Sequence, residues 1–294
     1  MLNNFTDIAV IGLGPAGMAA VNQFKRYTLA PRIFTQRGEV SLLKNAAFVY
    51  NYLGFQSIKG NQLLGQFTKD ALKGMKEHIV YDEVILLDYL ESKKLFYIKT
   101  ASSIEHYSRY VLVATGTKPN LMDCHITSVM KPYVFYEPYP ILEVKNKTIV
   151  IVGAGDAACV YARELSKENN IQWLIRGHQL RAIPALQDSI HSQDIHCQFN
   201  VTVRQLVQGK CTPLKVITSS EIPIDAHYLI PAIGRKPNLL FLSRRLTDNR
   251  KMKALEEYLH FAGDVINSNT RQVAIATGEG IKAAVKIYQS MVQK

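Results

Sequence analysis

Two short glycine-rich stretches have residue types and spacings that could do chemistry. The first is GLGPAG, made of Gly12, Gly14, Pro15, Ala16 and Gly17 around one leucine. The second is GAGDAA, with Gly153, Gly155, Asp156, Ala157 and Ala158. Each fits the G-x-G-x-x-G/A pattern and follows an apolar run, DIAVI (7–11) in one case and TIVIV (148–152) in the other. In that pattern the first glycine permits a tight turn and the second lets backbone approach a pyrophosphate. A small third residue then lets helix and strand pack closely, and the amides at the helix start face the anion. The implied chemistry is the binding of two dinucleotides by one chain.

The residue about 20 positions beyond such a loop selects the nucleotide: an acid grips the ribose 2′-hydroxyl, and an arginine accommodates a 2′-phosphate. Beyond the second loop, the run IQWLI (171–175) leads into Arg176, with Arg181 a little further on and no carboxylate at the strand end. That favours NADPH over NADH. Beyond the first loop, PRIFTQ (31–36) ends in Thr35 and Gln36, and Glu39 lies too far along to serve. Thr35 and Gln36 can donate and accept hydrogen bonds, but neutral bonds are weaker than charge-assisted ones. The first site is therefore expected to hold its dinucleotide less tightly than usual.

These loops need strands and helices to position them. DIAVI, the helix AAVNQFKRY and the strand PRIFTQ make one β-α-β start. A helix is predicted over 62–78, and EVILLDY and KLFYIKT read as strands of an antiparallel sheet. YVLVATGTKPN (110–120) is a strand with a Gly-Pro exit. A second unit starts at KTIVIV and leaves through HYLIPAIGRKPN (227–238), whose exit matches the first. The carboxyl-terminal stretch reads as a strand followed by a long helix. The fold class expected is α/β, with two Rossmann-like three-layer ββα dinucleotide-binding domains. One domain comprises 1–118 and 239–294, and the other, 119–238, is inserted into it.

Composition sets outer limits. The 294 residues are 47% hydrophobic and 20% charged, ordinary values for a globular protein of about two domains. No apolar run reaches the roughly 18 residues of a membrane span. The first predicted strand begins almost at the start, so no cleavable signal is expected and a cytoplasmic location is the default. Lys and Arg outnumber Asp and Glu by 35 to 24, a net charge of +11. This excess suits an anionic cofactor or an acidic protein partner; nucleic acid is not expected, because no basic helix or aromatic-interleaved motif stands out. The four cysteines, Cys124, Cys159, Cys197 and Cys211, form no CxxC and read as reduced thiols. No metal site is expected.

Taken in order, GLGPAG, VYNYLGF (49–55), VLVATGTKPN, IVIVGAGDAA, LIRGHQLRA (174–182), AIGRKPN and FAGDVINSNTRQVAIATGEGIKAA (261–284) span nearly the whole chain. Together they resemble the low-molecular-weight, pyridine-nucleotide-dependent flavoproteins of the thioredoxin reductase type. The resemblance implies FAD at the first loop, with Thr35 and Gln36 at its ribose and Asn51 near the flavin. Thr115 and Gly116 would lie along the FAD, and Gly263 and Asp264 at its ribitol. Arg271, Gln272 and Val273 would open a helix whose amides face the flavin and stabilise its reduced anion. NADPH would lie on Gly153, Gly155, Asp156, Ala157, Ala158, Arg176, Arg181 and Gly234. Relatives also suggest a homodimer.

One departure sets the functional expectation. Thioredoxin reductases carry a CxxC pair shortly before the second glycine loop; here that region, 128–150, has no cysteine. It holds Tyr133, Phe135, Tyr136 and Tyr139 instead. The chain thus resembles the dithiol-free ferredoxin and flavodoxin reductases, which pass electrons from NADPH through FAD to an acidic carrier. The basic segment 235–253 is a candidate docking face, through Arg235, Lys236, Arg244, Arg245, Arg250, Lys251 and Lys253. The alternatives are a quinone or oxygen oxidoreductase, a thioredoxin-reductase-like disulfide reductase, and a non-enzymatic redox sensor binding FAD or NADPH. No catalytic residue is assigned, His178 and His191 included, because hydride transfer needs no positioned base.

Overall fold

The computed structural model describes residues 4–37, 41–190, 195–267 and 270–293, with Asn249 and Lys251 described by backbone alone. Glu39 and His191 lie outside the described residues. The chain opens with β1 (Phe5–Ile11), α1 (Pro15–Arg26) and β2 (Arg32–Thr35), followed by α2 (Gly60–Leu72) and β3 (Ile79–Tyr81). A meander of β4 (Val84–Leu90), β5 (Leu95–Thr100) and β6 (Glu105–Val113) leads to β7 (Thr117–Pro119). Next come β8 (Thr148–Val152), α3 (Asp156–Leu165), β9 (Asn170–Ile175), α4 (Pro184–Asp188) and β10 (Ile195–Phe199). The antiparallel β11 (Val203–Gln208), β12 (Leu214–Thr218) and β13 (Ile224–Ala226) precede β14 (Tyr228–Pro231). Last are β15 (Arg235–Pro237), α5 (Asn249–Ala254), β16 (Leu259–Phe261) and α6 (Val273–Val292).

The residues gather into two compact units, Met1–Lys118 with Lys236–Lys294, and Pro119–Arg235. The return passage falls at Arg235/Lys236, where the sequence reading sets it at 238/239. β7 and β15, which carry the two passages, pair as a two-stranded sheet.

In the first unit, β3, β2, β1 and β6 are parallel neighbours. On its other edge, β6 changes partner along its length. Residues 105–108 pair antiparallel with β5, and Val111–Val113 pair parallel with β16. The sheet forks there, and the meander covers one face. Side chains along a strand point alternately to the two faces, which explains the two cores. Ile8, Val10, Ile33 and Leu112 pack with α1 and α6, through Phe24 and Ile287. Ala9, Ile11, Phe34, Val111 and Val113 pack with Leu87, Phe96 and Ile98 of the meander.

The second unit repeats this plan. β10, β9, β8 and β14 form a parallel sheet. Ile149, Ile151 and Trp173 face α3, while Val150, Leu174 and Leu229 face the sheet β11–β13. Each unit is thus helix, parallel sheet and antiparallel sheet in layers, the α/β class expected from the sequence.

One predicted element is shorter than expected. The helix predicted over 62–78 ends at Leu72, because Gly74 has φ +76° and a separate 3-10 turn covers Lys76–His78. A left-handed residue cannot continue a right-handed helix.

His106 sits 4% exposed at the start of β6, its ring edge-on to Phe34, and neither ring nitrogen has a hydrogen-bond partner among the described residues. Burial, with Arg32 nearby, lowers its pKa. The folded protein therefore binds this proton less readily than the unfolded chain, whose histidine titrates near about 6.5. Its contribution to stability is full above that pH and is lost as pH falls towards the depressed folded pKa. Replacing an unpaired buried polar ring by an apolar group is neutral or stabilising. Melting temperatures measured across the weakly acidic range should fall less steeply for His106→Leu than for the wild type; an unchanged slope would contradict this account.

Candidate functional site

In the first unit, the turn after β1 is tied to β2, for the Gly12 amide donates to the Phe34 carbonyl at 2.8 Å. Gly12 has φ +101°, and a Cβ there would lie 2.4 Å from the Ala114 oxygen. At Gly17 a Cβ would lie 2.1 Å from the Gly12 oxygen. Protein packing therefore demands both glycines. Gly14 is different: with φ −82° and ψ −171° any residue could occupy it, and a Cβ would meet nothing within 4 Å. Neither conformation nor packing among the described residues demands that glycine, and the open space before it is of the kind that lets backbone approach a pyrophosphate. Gly14 caps α1 without a side-chain bond, Pro15 follows at the first helical position, and the first turn has no acid. The first amides of α1 have no acceptor within the helix and lie at the positive end of its dipole. The loop fits a pyrophosphate.

The FAGD turn is carried to this loop by α6. A Cβ at Gly263 would lie 2.8 Å from the Ala16 Cβ, and one at Gly280 would lie 2.1 Å from the Ala16 oxygen. Glu279 holds the turn in place, accepting from the Gly263 amide at 2.7 Å and from Asn267 Nδ2 at 2.9 and 3.0 Å. Sequence reasoning missed Glu279; TGEG carries no signal that its acid turns back on its own helix. Asp264 is half-buried on this turn. Gln272 caps α6 without a side-chain bond, Val273 begins the helix, and the first turn holds no acid. Arg271 Nε donates to the Asn267 carbonyl at 3.0 Å. Val273 packs on a small core of Leu43, Val49, Ile58 and Leu63. The Val49–Ile58 bridge closes the loop that bears exposed Asn51. That core draws the Asn51 loop and the start of α6 together.

Thr35 ends β2 and Gln36 follows it, both half-buried and next to the Gly12 turn. Thr115 has a structural task, its hydroxyl donating to the Asn238 carbonyl at 2.8 Å. Gly116, at φ +61°, accepts from the Asn238 amide at 3.0 Å. The Thr-Gly exit is thus clamped to the returning chain, a pairing with no sequence period to reveal it.

The second unit uses the same devices. Gly153 has φ +139°, and a Cβ there would lie 2.2 Å from the Ala232 oxygen. Gly155 is extended at φ −91° and ψ −179°, and a Cβ would meet nothing within 4 Å. Ala158 is fully buried, while Asp156 and Ala157 are exposed on the first turn of α3. Several acceptors of this loop are engaged by the protein itself. The Gly153 carbonyl takes the indole N–H of Trp173 at 2.6 Å, and Ala154 takes the Arg181 amide at 2.7 Å. An Asp156 oxygen takes the Ile183 amide at 3.0 Å. What remains to present is the row of amides at the start of α3. Arg176 and Arg181 are exposed and without a carboxylate partner among the described residues. Gly234, at φ +95°, accepts from the Asn120 amide at 3.0 Å.

The stretch 128–150 supplies packing and two ion pairs, one of them between exposed Lys145 and Glu168 at 3.4 Å. Tyr133 and Phe135 lie against Tyr228, with ring centroids 6.4 and 5.9 Å away. Glu137 pairs with Arg235 and accepts from the Tyr161 hydroxyl at 3.1 Å. Burial raises the Glu137 pKa against the opposing pull of Arg235 and Tyr161. Arg245 is engaged as well, with the Tyr89 carbonyl at 3.1 Å and Glu91 at 3.4 Å. Two of the seven basic residues of 235–253 are therefore partnered, and the Lys251 side chain lies outside the described residues. Lys236, Arg244, Arg250 and Lys253 are exposed and form no ion pair among the described residues.

All four thiols are unbonded. Burial pushes Cys159 up to about 11, with Asp156 and Cys197 adding to it. Burial also raises Cys124 and Cys197, with Asp123 adding at Cys124. Thiols of raised pKa are poor nucleophiles. Among the described residues no His, Cys, Asp and Glu group could hold a metal, and no helix is long and apolar enough to cross a membrane.

Fold and loops together define a protein with two dinucleotide-binding units of one plan. A family profile described as pyridine nucleotide-disulphide oxidoreductase matches residues 6–280. The chain belongs to that family and is an oxidoreductase. It is similar to thioredoxin reductase of Mycoplasma genitalium, 26% identical over 307 residues, covering 96% of this chain and 94% of the relative. Against thioredoxin reductase of Bacillus subtilis it is 27% identical, covering 96% and 93%. Against ferredoxin–NADP reductase of Ehrlichia canis it is 28% identical, covering 81% and 75%. In fold it is similar to the crystal structure of T. acidophilum thioredoxin reductase, with TM-score 0.81 at 22% identity over 99% of this chain and 100% of that one. Members of the thioredoxin reductase type are flavoproteins that bind FAD and NADPH.

Proposed function

We propose that this chain takes reducing equivalents from NADPH, bound to the Pro119–Arg235 unit, through FAD, bound to the other unit, and delivers them to a small acidic electron carrier of the ferredoxin or flavodoxin kind. The observation that carries this reading is the cysteine inventory. No two of the four cysteines have CxxC spacing, 128–150 has none, and three of the four thiols are raised by burial. A dithiol relay has no residues to run on. When bound, FAD supplies the conversion of a two-electron hydride into single electrons. The protein's own part is placement and electrostatics. Gly14 and Gly155 leave room for the two pyrophosphates, the starts of α1 and α3 turn amides to them, and Arg176 and Arg181 meet the 2′-phosphate. Glu279 fixes the turn that bears Asp264, and the uncapped start of α6 offers amides to developing negative charge.

The name ferredoxin–NADP reductase on one relative supports the acceptor class, and a net charge of +11 favours acidic partners. The names of the other relatives support a second reading, reduction of a disulfide substrate. Anaerobic titration of the purified protein with NADPH, and separately with NADH, tests the proposal. The flavin band should bleach at lower NADPH than NADH, and ferredoxin or flavodoxin should restore it. Recovery with thioredoxin disulfide, quinone or oxygen, but with neither carrier, would overturn the proposal.

A further inference from the structure

The bond between Asp156 and Ile183 calls for an explanation. Asp156 is the residue after Gly155, on the first turn of the helix whose amides face the proposed pyrophosphate. A carboxylate there lowers the affinity of the helix end for an anion, and general stabilisation by the helix dipole would need no particular partner. Its Oδ1 nonetheless accepts from the Ile183 amide at 3.0 Å. Two residues earlier in the same irregular segment before α4, the Arg181 amide donates to the Ala154 carbonyl at 2.7 Å. Residues 181–183 are thus strapped across the glycine loop at two points, one on each side of Gly155. The Arg181 side chain leaves from this strap, exposed and without an acidic partner among the described residues.

We infer that Asp156 is a positioning residue for cofactor specificity: by anchoring Ile183 it holds the Arg181 strap where its guanidinium meets a 2′-phosphate. The inference rests on the reading that this unit binds NADPH through Arg181. Losing the anchor frees Arg181 to sample positions away from the phosphate, so discrimination between phosphorylated and unphosphorylated ribose falls.

The test is calorimetric and uses the full chain with 2′,5′-ADP and 5′-AMP, which differ only in the 2′-phosphate. Asp156→Ala should reduce the preference for 2′,5′-ADP about tenfold, a typical loss for one charge-assisted hydrogen bond. The direction is diagnostic: removing a negative charge near an anion site would by simple electrostatics raise that preference. Asp156→Asn keeps an oxygen acceptor for Ile183 and should retain most of the preference. Arg181→Ala should lose it, and adding Asp156→Ala to Arg181→Ala should cost little more. An unchanged preference in Asp156→Ala, with Arg181→Ala collapsed, would overturn the positioning role and leave the NADPH reading standing. A wild type that binds both ligands equally, or an Arg181→Ala protein that keeps the preference, would overturn that reading first. Additive losses in the double variant would show that Asp156 acts independently of Arg181, against the inference.

Discussion

The Gly155→Val protein is expected to melt at the wild-type temperature and to bind NADPH at least about a hundredfold more weakly, a loss of about 2.7 kcal/mol or more. Gly155 has an extended backbone that valine adopts readily, and among the described residues no atom beyond its own chain neighbours stands within 4 Å of its Cβ position. The space in front of it therefore matters to a ligand and leaves the fold indifferent. Gly153→Val should behave in the opposite way. Its φ of +139° is strained for any side chain, and its Cβ would lie 2.2 Å from the Ala232 oxygen. Folding itself should suffer by about 3 kcal/mol or more. The same contrast holds in the first unit, where Gly14→Val should purify folded but colourless and Gly17→Val should be unstable. Thermal melts with calorimetric NADPH binding and flavin content separate the outcomes. A Gly155→Val protein that binds NADPH within about twofold of wild type would remove the structural ground for a dinucleotide in that unit.

Reversing the charge of Lys236, Arg244, Arg250 and Lys253 together should slow reduction of ferredoxin or flavodoxin at low salt by about tenfold or more. These four are chosen because Arg235 and Arg245 already have partners in Glu137 and Glu91. Long-range attraction raises the encounter rate of opposite charges and is screened by salt. The wild-type rate should therefore fall steeply as salt is added, and the variant rate should depend on it weakly. Reduction of an uncharged quinone gives the control, since attraction plays no part in its encounter. Equal carrier rates for wild type and variant would place docking elsewhere.

How much was legible in the sequence depended on whether a feature was local. The glycine loops and the apolar runs that precede them are local signals, whereas the split of Ile8 and Val10 from Ala9 and Ile11 onto two faces is not, because all four are apolar. The long helix near the carboxyl end was legible as such, and its start at Val273 came from the family resemblance. The end of α2 lies just before Gly74, but the apolar spacing runs on past it and masks that stop. The rest depends on side chains meeting across long stretches of chain. Glu279 under Gly263, Thr115 on Asn238, Trp173 on Gly153 and Arg235 on Glu137 have no spacing rule to announce them. Such pairs matter most where they fix a motif whose own residues were easy to find.

The pairing of β7 with β15 has a further consequence. The chain leaves the first unit and returns to it through adjacent strands, and the Asn120 amide reaches the Gly234 carbonyl at 3.0 Å. The ends of the intervening stretch are thus neighbours, the geometry that lets one module be spliced into another with little cost in loop closure. A chain in which a short linker replaces residues 119–235 is therefore expected to fold as the first unit alone, and a foreign nucleotide-binding module with similarly close ends is expected to be tolerated in their place.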